Sequence, residues 1–152
     1  MTGPQIVIRP LSEDDIEEWF RLRGQLWDNT SEHDHKSEML DILEHGNSQL
    51  VLVADLGEGR LAGFLEASIR PFVEDCDSDH VGYLEGWFVA PEYRRRGIGR
   101  GLVAAAEEWA RMNGCAEMAS DAEIDNSVSI EAHLRLGYEE TSRLVHLRKE
   151  LD

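Results

Sequence analysis

The chain has 152 residues, a formal net charge of −16 and 41% hydrophobic residues. It is long enough for one domain with a real core, and its acidic field repels nucleic acid and anionic membrane surfaces. No apolar run reaches spanning length and no basic stretch opens into an apolar one, so a single cytoplasmic domain over residues 1–152 is expected, with no membrane partner.

In chain order, Gln5 to Arg9 reads as a first strand closed by Pro10. Ser12 and Asp15 have the spacing of a capping box, and Ile16, Trp19, Phe20, Arg23 and Leu26 give an amphipathic helix. Trp27 to His35 is polar and reads as a loop on the substrate side. His33 and His35 flank Asp34 there without a third ligand at metal spacing, so they read as solvated and no metal is expected. Ser37 to His45 returns to helical spacing, stopped by Gly46. Gln49 to Asp55 and Leu61 to Arg70 are two arms of a hairpin joined at Gly57-Glu58-Gly59. Glu66, Ser68 and Arg70 give the second arm one unusually polar face. Pro71 to His80 is an acidic loop. Cys76 in it and Cys115 further on have no ligand spacing and read as reduced thiols.

The next stretch organises the rest. Tyr83 to Val89 is an apolar, aromatic strand stopped by Pro91, and Ile98, Leu102, Ala105, Ala106, Trp109 and Met112 recur at helical spacing. Between them runs Arg94-Arg95-Arg96-Gly97-Ile98-Gly99-Arg100. Glycines that permit a tight turn, unpaired N–H groups at a helix start and several guanidiniums together suit a pyrophosphate. A P-loop would need Gly-Lys-Ser/Thr, and a dinucleotide fingerprint would need a third glycine where Leu102 stands. Cys115 to Asp121 reads as a further strand, Asn126 to Leu136 as a helix stopped by Gly137, and Thr141 to Lys149 as a terminal strand.

Arg-x-x-Gly-x-Gly after a Val-x-Pro strand end resembles the acetyl-CoA motif of the GCN5-related N-acetyltransferase (GNAT) superfamily, matched by Arg94, Gly97 and Gly99. The order β-α-α-β-β-β-α-β-α-β resembles that superfamily over nearly the whole chain. The resemblance implies an α/β fold with a mixed, mostly antiparallel central sheet flanked by helices, in which a parallel strand pair splays to admit the cofactor. It implies acetyl-CoA as co-substrate, held by Phe88, Val89, Arg94, Arg95, Arg96, Gly97, Ile98, Gly99, Arg100, Asn126 and Ser129.

Short matches spread along the chain are similar to the aminoglycoside 6′-N-acetyltransferases: Gln25-Leu26-Trp27, Ala67-Ser68-Ile69-Arg70, Cys76-Asp77-Ser78, Leu84-Glu85-Gly86, Met118-Ala119-Ser120-Asp121 and Gly137-Tyr138-Glu139-Glu140-Thr141. That likeness implies a polycationic drug as acceptor, attacked directly at its 6′-amine in a ternary complex. Trp27, Phe72, Glu85, Asp121 and Glu140 would bind it. Glu85 is the candidate base, with Gly86 permitting a bulge beside it; the alternative is a charge paired with Arg70 across the sheet. Asp121 either holds or deprotonates the amine, as an alternative base to Glu85, or caps a turn. His133 falls where the superfamily often has a tyrosine acid, and is either a proton donor or an ordinary helix histidine. Two other functions fit the same motifs: acetylation of a protein N-terminus or polyamine, and acetyl-CoA sensing without catalysis. A homodimer is expected only by analogy with relatives.

Overall fold

The computed structural model describes residues 5–152 and resolves two compact units, one ending at Ser120 and the other running from Asp121 to Asp152. The larger unit is a five-stranded sheet in the order β1-β2-β3-β4-β5, with β1 (Val7–Pro10), β2 (Gln49–Gly57), β3 (Arg60–Arg70), β4 (Val81–Val89) and β5 (Glu117–Ser120). All neighbouring pairs are antiparallel except β4 and β5, which are parallel.

Helices α1 (Ile16–Leu26) and α2 (Glu32–Glu44) cover one face of the sheet. Trp19, Leu22 and Met39 from them pack with Val51, Val53 and Phe64 in one buried cluster. The alternation of β2 and β3 turns Leu52, Ala54 and Leu65 to the other face, under α3 (Ile98–Met112) with its buried Leu102, Val103 and Ala106. Gly101 marks how tightly α3 lies on the sheet, since an added Cβ would come within 2.6 Å of Ile8 Cδ1. The Gly57-Glu58-Gly59 turn takes positive φ at all three residues, as a tight hairpin demands.

Two expectations are corrected. Helix α2 begins at Glu32, not Ser37, because Ser31 caps it by accepting the Asp34 N–H at 3.1 Å. The segment around His33 and His35 is therefore helix, and His35 is buried. The expected strand from Thr141 to Lys149 does not form: residues 138–152 carry no regular structure. A strand needs a ladder partner, and among the described residues this segment has none, so Leu144, Val145 and Leu147 stand exposed. The smaller unit contributes one helix, α4 (Ser127–Arg135).

Candidate active site

The site begins with an irregularity in β4. Glu66 pairs with Gly86 and Ala67 with Leu84, so Glu85 has no partner on β3. It is the extra residue of a β-bulge, as the adjoining glycine suggested. Pairing with β5 also ends there: Leu84 opposite Ser120 is its last register position, while β4 runs on to Val89. Glu85 thus sits where the parallel pair stops holding together.

Its carboxylate is held from one side. Oε1 accepts from the Ser68 hydroxyl at 2.7 Å and from Arg70 Nε and Nη2 at 3.1 and 2.7 Å, and Oε2 accepts from Arg70 Nη2 at 2.8 Å. Arg70 also lies 3.6 Å from the centroid of the Tyr83 ring, which fixes its plane. The pairing across the sheet weighed from sequence is therefore present. Glu85 remains half-exposed, and Oε2, with one donor against three on Oε1, keeps capacity for an ammonium or a water.

A cavity of about 440 Å³ opens beside Glu85, lined by Arg23, Trp27, Thr30, Glu38, Asp41, Ile42, Gln49 and Glu66 as well. Its four carboxylates are matched by two guanidiniums, Arg23 on Glu66 and Glu38 and Arg70 on Glu85, which leaves a net negative lining that favours cations. Sequence reading placed Trp27 and Glu85 there and missed Glu38 and Asp41, which look like ordinary charges on a solvated helix. It also missed the pairing beneath them. Arg23, 3% exposed, donates to both oxygens of the buried Glu66 at 2.7 and 3.1 Å and to Glu38 at 2.9 Å. Burial lowers the Arg23 pKa, but Glu66 and Glu38 more than compensate, and the net direction is upward. Trp19 Nε1 donates to Glu66 at 2.9 Å, completing a buried polar network whose members all have partners.

The loop before α3 is built differently. Gly97 precedes the helix with φ of 78°, a left-handed conformation that glycine takes without strain, and Arg95 has φ of 66°. Arg94 turns back to donate to the Val89 carbonyl at 2.7 Å and lies over Phe88. Arg94, Arg95, Arg96 and Arg100 are exposed around the unpaired N–H groups of the first helical turn, while Ile98 is buried and anchors it. Gly99 packs on Trp87 and Val89, the β4 side chains on the α3 face. These groups suit an anionic, phosphate-bearing ligand.

The other expected residues fall elsewhere. Phe72 is 71% exposed on the loop after β3 and does not line the cavity. In the smaller unit, Asn126 caps α4 by accepting the Ser129 N–H at 3.1 Å, so its side-chain oxygen is already engaged. His133 donates from Nδ1 to the Ser129 carbonyl at 2.7 Å and meets the Tyr138 ring edge-on. Glu140 pairs with Arg143, which holds its carboxyl below the usual range. Asp121 is exposed at the start of that unit. Glu117, not singled out from sequence, pins the acidic loop by accepting from the Asp77 and Ser78 N–H groups and the Ser78 hydroxyl. Burial pushes the Cys76 and Cys115 thiols up, and neither is placed as a nucleophile. Among the described residues no group of three or more potential ligands gathers for a metal ion, and no helix is long and apolar enough to cross a membrane.

Residues 13–138 match the model of the acetyltransferase (GNAT) family. The chain is 42% identical over 147 residues to the aminoglycoside N(6′)-acetyltransferase type 1 of Klebsiella aerogenes, covering 95% of this chain and 97% of that one. It superposes on the aminoglycoside N-acetyltransferase AAC(6′)-Iy in complex with CoA with a TM-score of 0.91 at 38% identity, covering 99% and 98% of the two chains. The same relative with the bisubstrate analogue CoA-S-monomethyl-acetylneamine gives 0.89 at 38% identity, over 97% and 99%. A mixed sheet with one parallel pair, an arginine-rich glycine turn leading into α3 and these likenesses over nearly full length agree: the chain belongs to the acetyltransferase (GNAT) family.

Proposed function

We propose that the protein transfers the acetyl group of acetyl-CoA to the 6′-amine of an aminoglycoside, by direct attack within a ternary complex. The observation that carries this is the acidic cavity beside Glu85, at the point where β4 and β5 cease to pair. A polycationic amine meets Asp41, Glu38 and the open side of Glu85 there, and the exposed arginines and free N–H groups at the start of α3 suit the pyrophosphate of CoA. Relatives of similar sequence carry the same activity in their names, and one of them binds CoA. Acetyl-CoA supplies the activated acyl group. No metal is part of the proposal.

Within this reading Glu85 orients the acceptor ammonium through Oε2 and takes its proton, directly or through water, while Trp27 walls the cavity. Glu38 and Asp41 extend the acidic lining. Assignments of Asp121 and Glu140 to the acceptor, of Asn126 and Ser129 to the cofactor and of His133 to the leaving thiolate rest on motif resemblance alone. Phe72 is likewise proposed on resemblance. A cytoplasmic protein forming a homodimer completes the proposal, and the exposed Leu144, Val145 and Leu147 of the smaller unit favour association.

Thiol release from acetyl-CoA tests the reaction. Turnover is expected with an aminoglycoside bearing a 6′-amine and not with its 6′-hydroxyl counterpart. Equal turnover with both drugs, or with a peptide N-terminus alone, sinks the regiochemical assignment. Tight CoA binding without turnover would make the protein a sensor.

A further inference from the structure

We infer that Arg23 is a positioning residue for the acceptor, acting through Trp27 and Glu38. The inference rests on the acceptor reading above. Trp27 follows the last turn of α1, where a chain end has freedom to move, and yet it is held on several sides. Its ring lies 4.7 Å below the Arg23 guanidinium carbon and meets Phe64 edge-on at 6.1 Å. Its six-membered ring rests on the backbone of Gly86, where an added Cβ would fall 2.5 Å from Cζ2. Its carbonyl accepts from His35 Nε2 at 3.1 Å.

Arg23 makes that arrangement a single unit. A guanidinium only donates, so the 2.9 Å contact from Arg23 Nη1 makes His35 Nδ1 the acceptor and leaves the proton on Nε2, facing Trp27. The same Nη1 fixes Glu38, a carboxylate of the cavity, and the fork on Glu66 ties the whole assembly to β3 opposite Gly86. Four of the guanidinium's five coplanar donors serve these partners, and a planar face is needed for the stack on Trp27. Lysine has neither. Arg23 therefore sets the distance between the indole wall and the bulge that carries Glu85.

Steady-state kinetics of the full chain with acetyl-CoA and a 6′-amino aminoglycoside tests this. Arg23→Lys keeps a cation beside Glu66 and loses the stack, so the acceptor KM should rise about tenfold while kcat and the acetyl-CoA KM stay within about threefold. Trp27→Ala should raise the acceptor KM similarly. Combined with Arg23→Lys it should add little, because both act through one ring. Independent multiplication of the two effects, or an unaltered acceptor KM in Arg23→Lys, overturns the inference alone. A wild type that neither binds nor acetylates the drug overturns the acceptor reading and this inference with it. Should Arg23→Lys fail to fold, Gly86→Ala carries the test: its Cβ must displace Trp27 without touching the buried charges. It too should raise the acceptor KM, and a wild-type KM there would overturn the role given to the indole.

Discussion

Around the acceptor cavity the buried guanidinium of Arg23 is matched to carboxylates and to an imidazole, and Arg70 is matched to Glu85. The loop before α3 sets Arg95, Arg96 and Arg100 in solvent around unpaired backbone donors. For Arg23 burial explains the difference, whereas Arg70, 42% exposed, is paired by the cross-strand register that brings Glu85 to it. A charge removed from water at Arg23 or Glu66 is tolerable only with a partner inside the protein, whereas an exposed arginine is solvated until a ligand arrives. The cavity beside Glu85 thus has most of its charges paired within the protein, and the loop before α3 holds exposed cations open to an anion.

The largest effect that tests this contrast is at Glu85. Glu85→Gln removes proton acceptance and weakens the pair with Arg70, and kcat should fall on the order of 10²–10⁴-fold. Rapid-quench or steady-state acetyl transfer reads it. A change confined to the acceptor KM would make Glu85 an anchor for the ammonium and leave proton removal to another group.

Glu66→Ala should destabilise the protein by about 3–5 kcal/mol in urea unfolding, because Arg23 would be left buried without its fork. The CoA affinity of the folded protein should be unaltered. A parallel loss of CoA affinity, measured by calorimetry, would mean that the two regions are not independent.

The cofactor side breaks by another route. An added Cβ on Gly99 meets Trp87 and Val89 at 3.5 Å or more, which is ordinary contact. Gly99→Ala should therefore bind CoA nearly as wild type does. Gly99→Asp places an anion in the first turn, against both the helix dipole and the ligand's charge, and should weaken CoA binding about a hundredfold or more. Equal losses in the two variants would point to shape, not charge.

The smallest effect concerns a pair outside both regions. Arg9 holds the Asp15 carboxyl below its ordinary range, its hydrogen bond outweighing the opposing effect of burial, and Ser12 adds two more donors. The gain is complete above the unfolded carboxyl's pKa of about 3.9 and is lost as pH falls through the lowered native value. Asp15→Asn should cost about 2 kcal/mol at pH 7 with kinetics unchanged, and the gap to wild type should close in acid. A gap independent of pH would assign the loss to packing.

Much of the scaffold was legible because its signals are local. The capping box at Ser12, the apolar period of α1, the Gly57-Glu58-Gly59 hairpin and the glycine turn into α3 all came from neighbouring residues. The start of α2 was not, since its first two turns are polar and their one buried side chain is a histidine. Nor was the union of Arg23 with Glu66, 43 positions apart, which only the packing of α1 on β3 brings about. Glu85 stands out in the sequence as a carboxylate within an apolar strand, but its four hydrogen bonds depend on the register that aligns β3 with β4. The terminal strand failed because a few apolar residues among charged neighbours say nothing about whether a ladder partner is present.

The bulge at Glu85 bears on how such a site is gained or lost. On either side of it β4 keeps its faces in step, with Leu84 and Trp87 turned towards α3 and Tyr83 and Phe88 towards the other helices. Residue 85 is therefore supernumerary to the ladder, and only its side chain, through Ser68 and Arg70, ties it to β3. A chain lacking that one position would close into an unbroken antiparallel ladder, every other side chain of β4 keeping its neighbours. Deleting residue 85 should therefore remove its carboxylate while the pairing of its neighbours stays in register, and would leave Arg70 and Ser68 without the partner they now share.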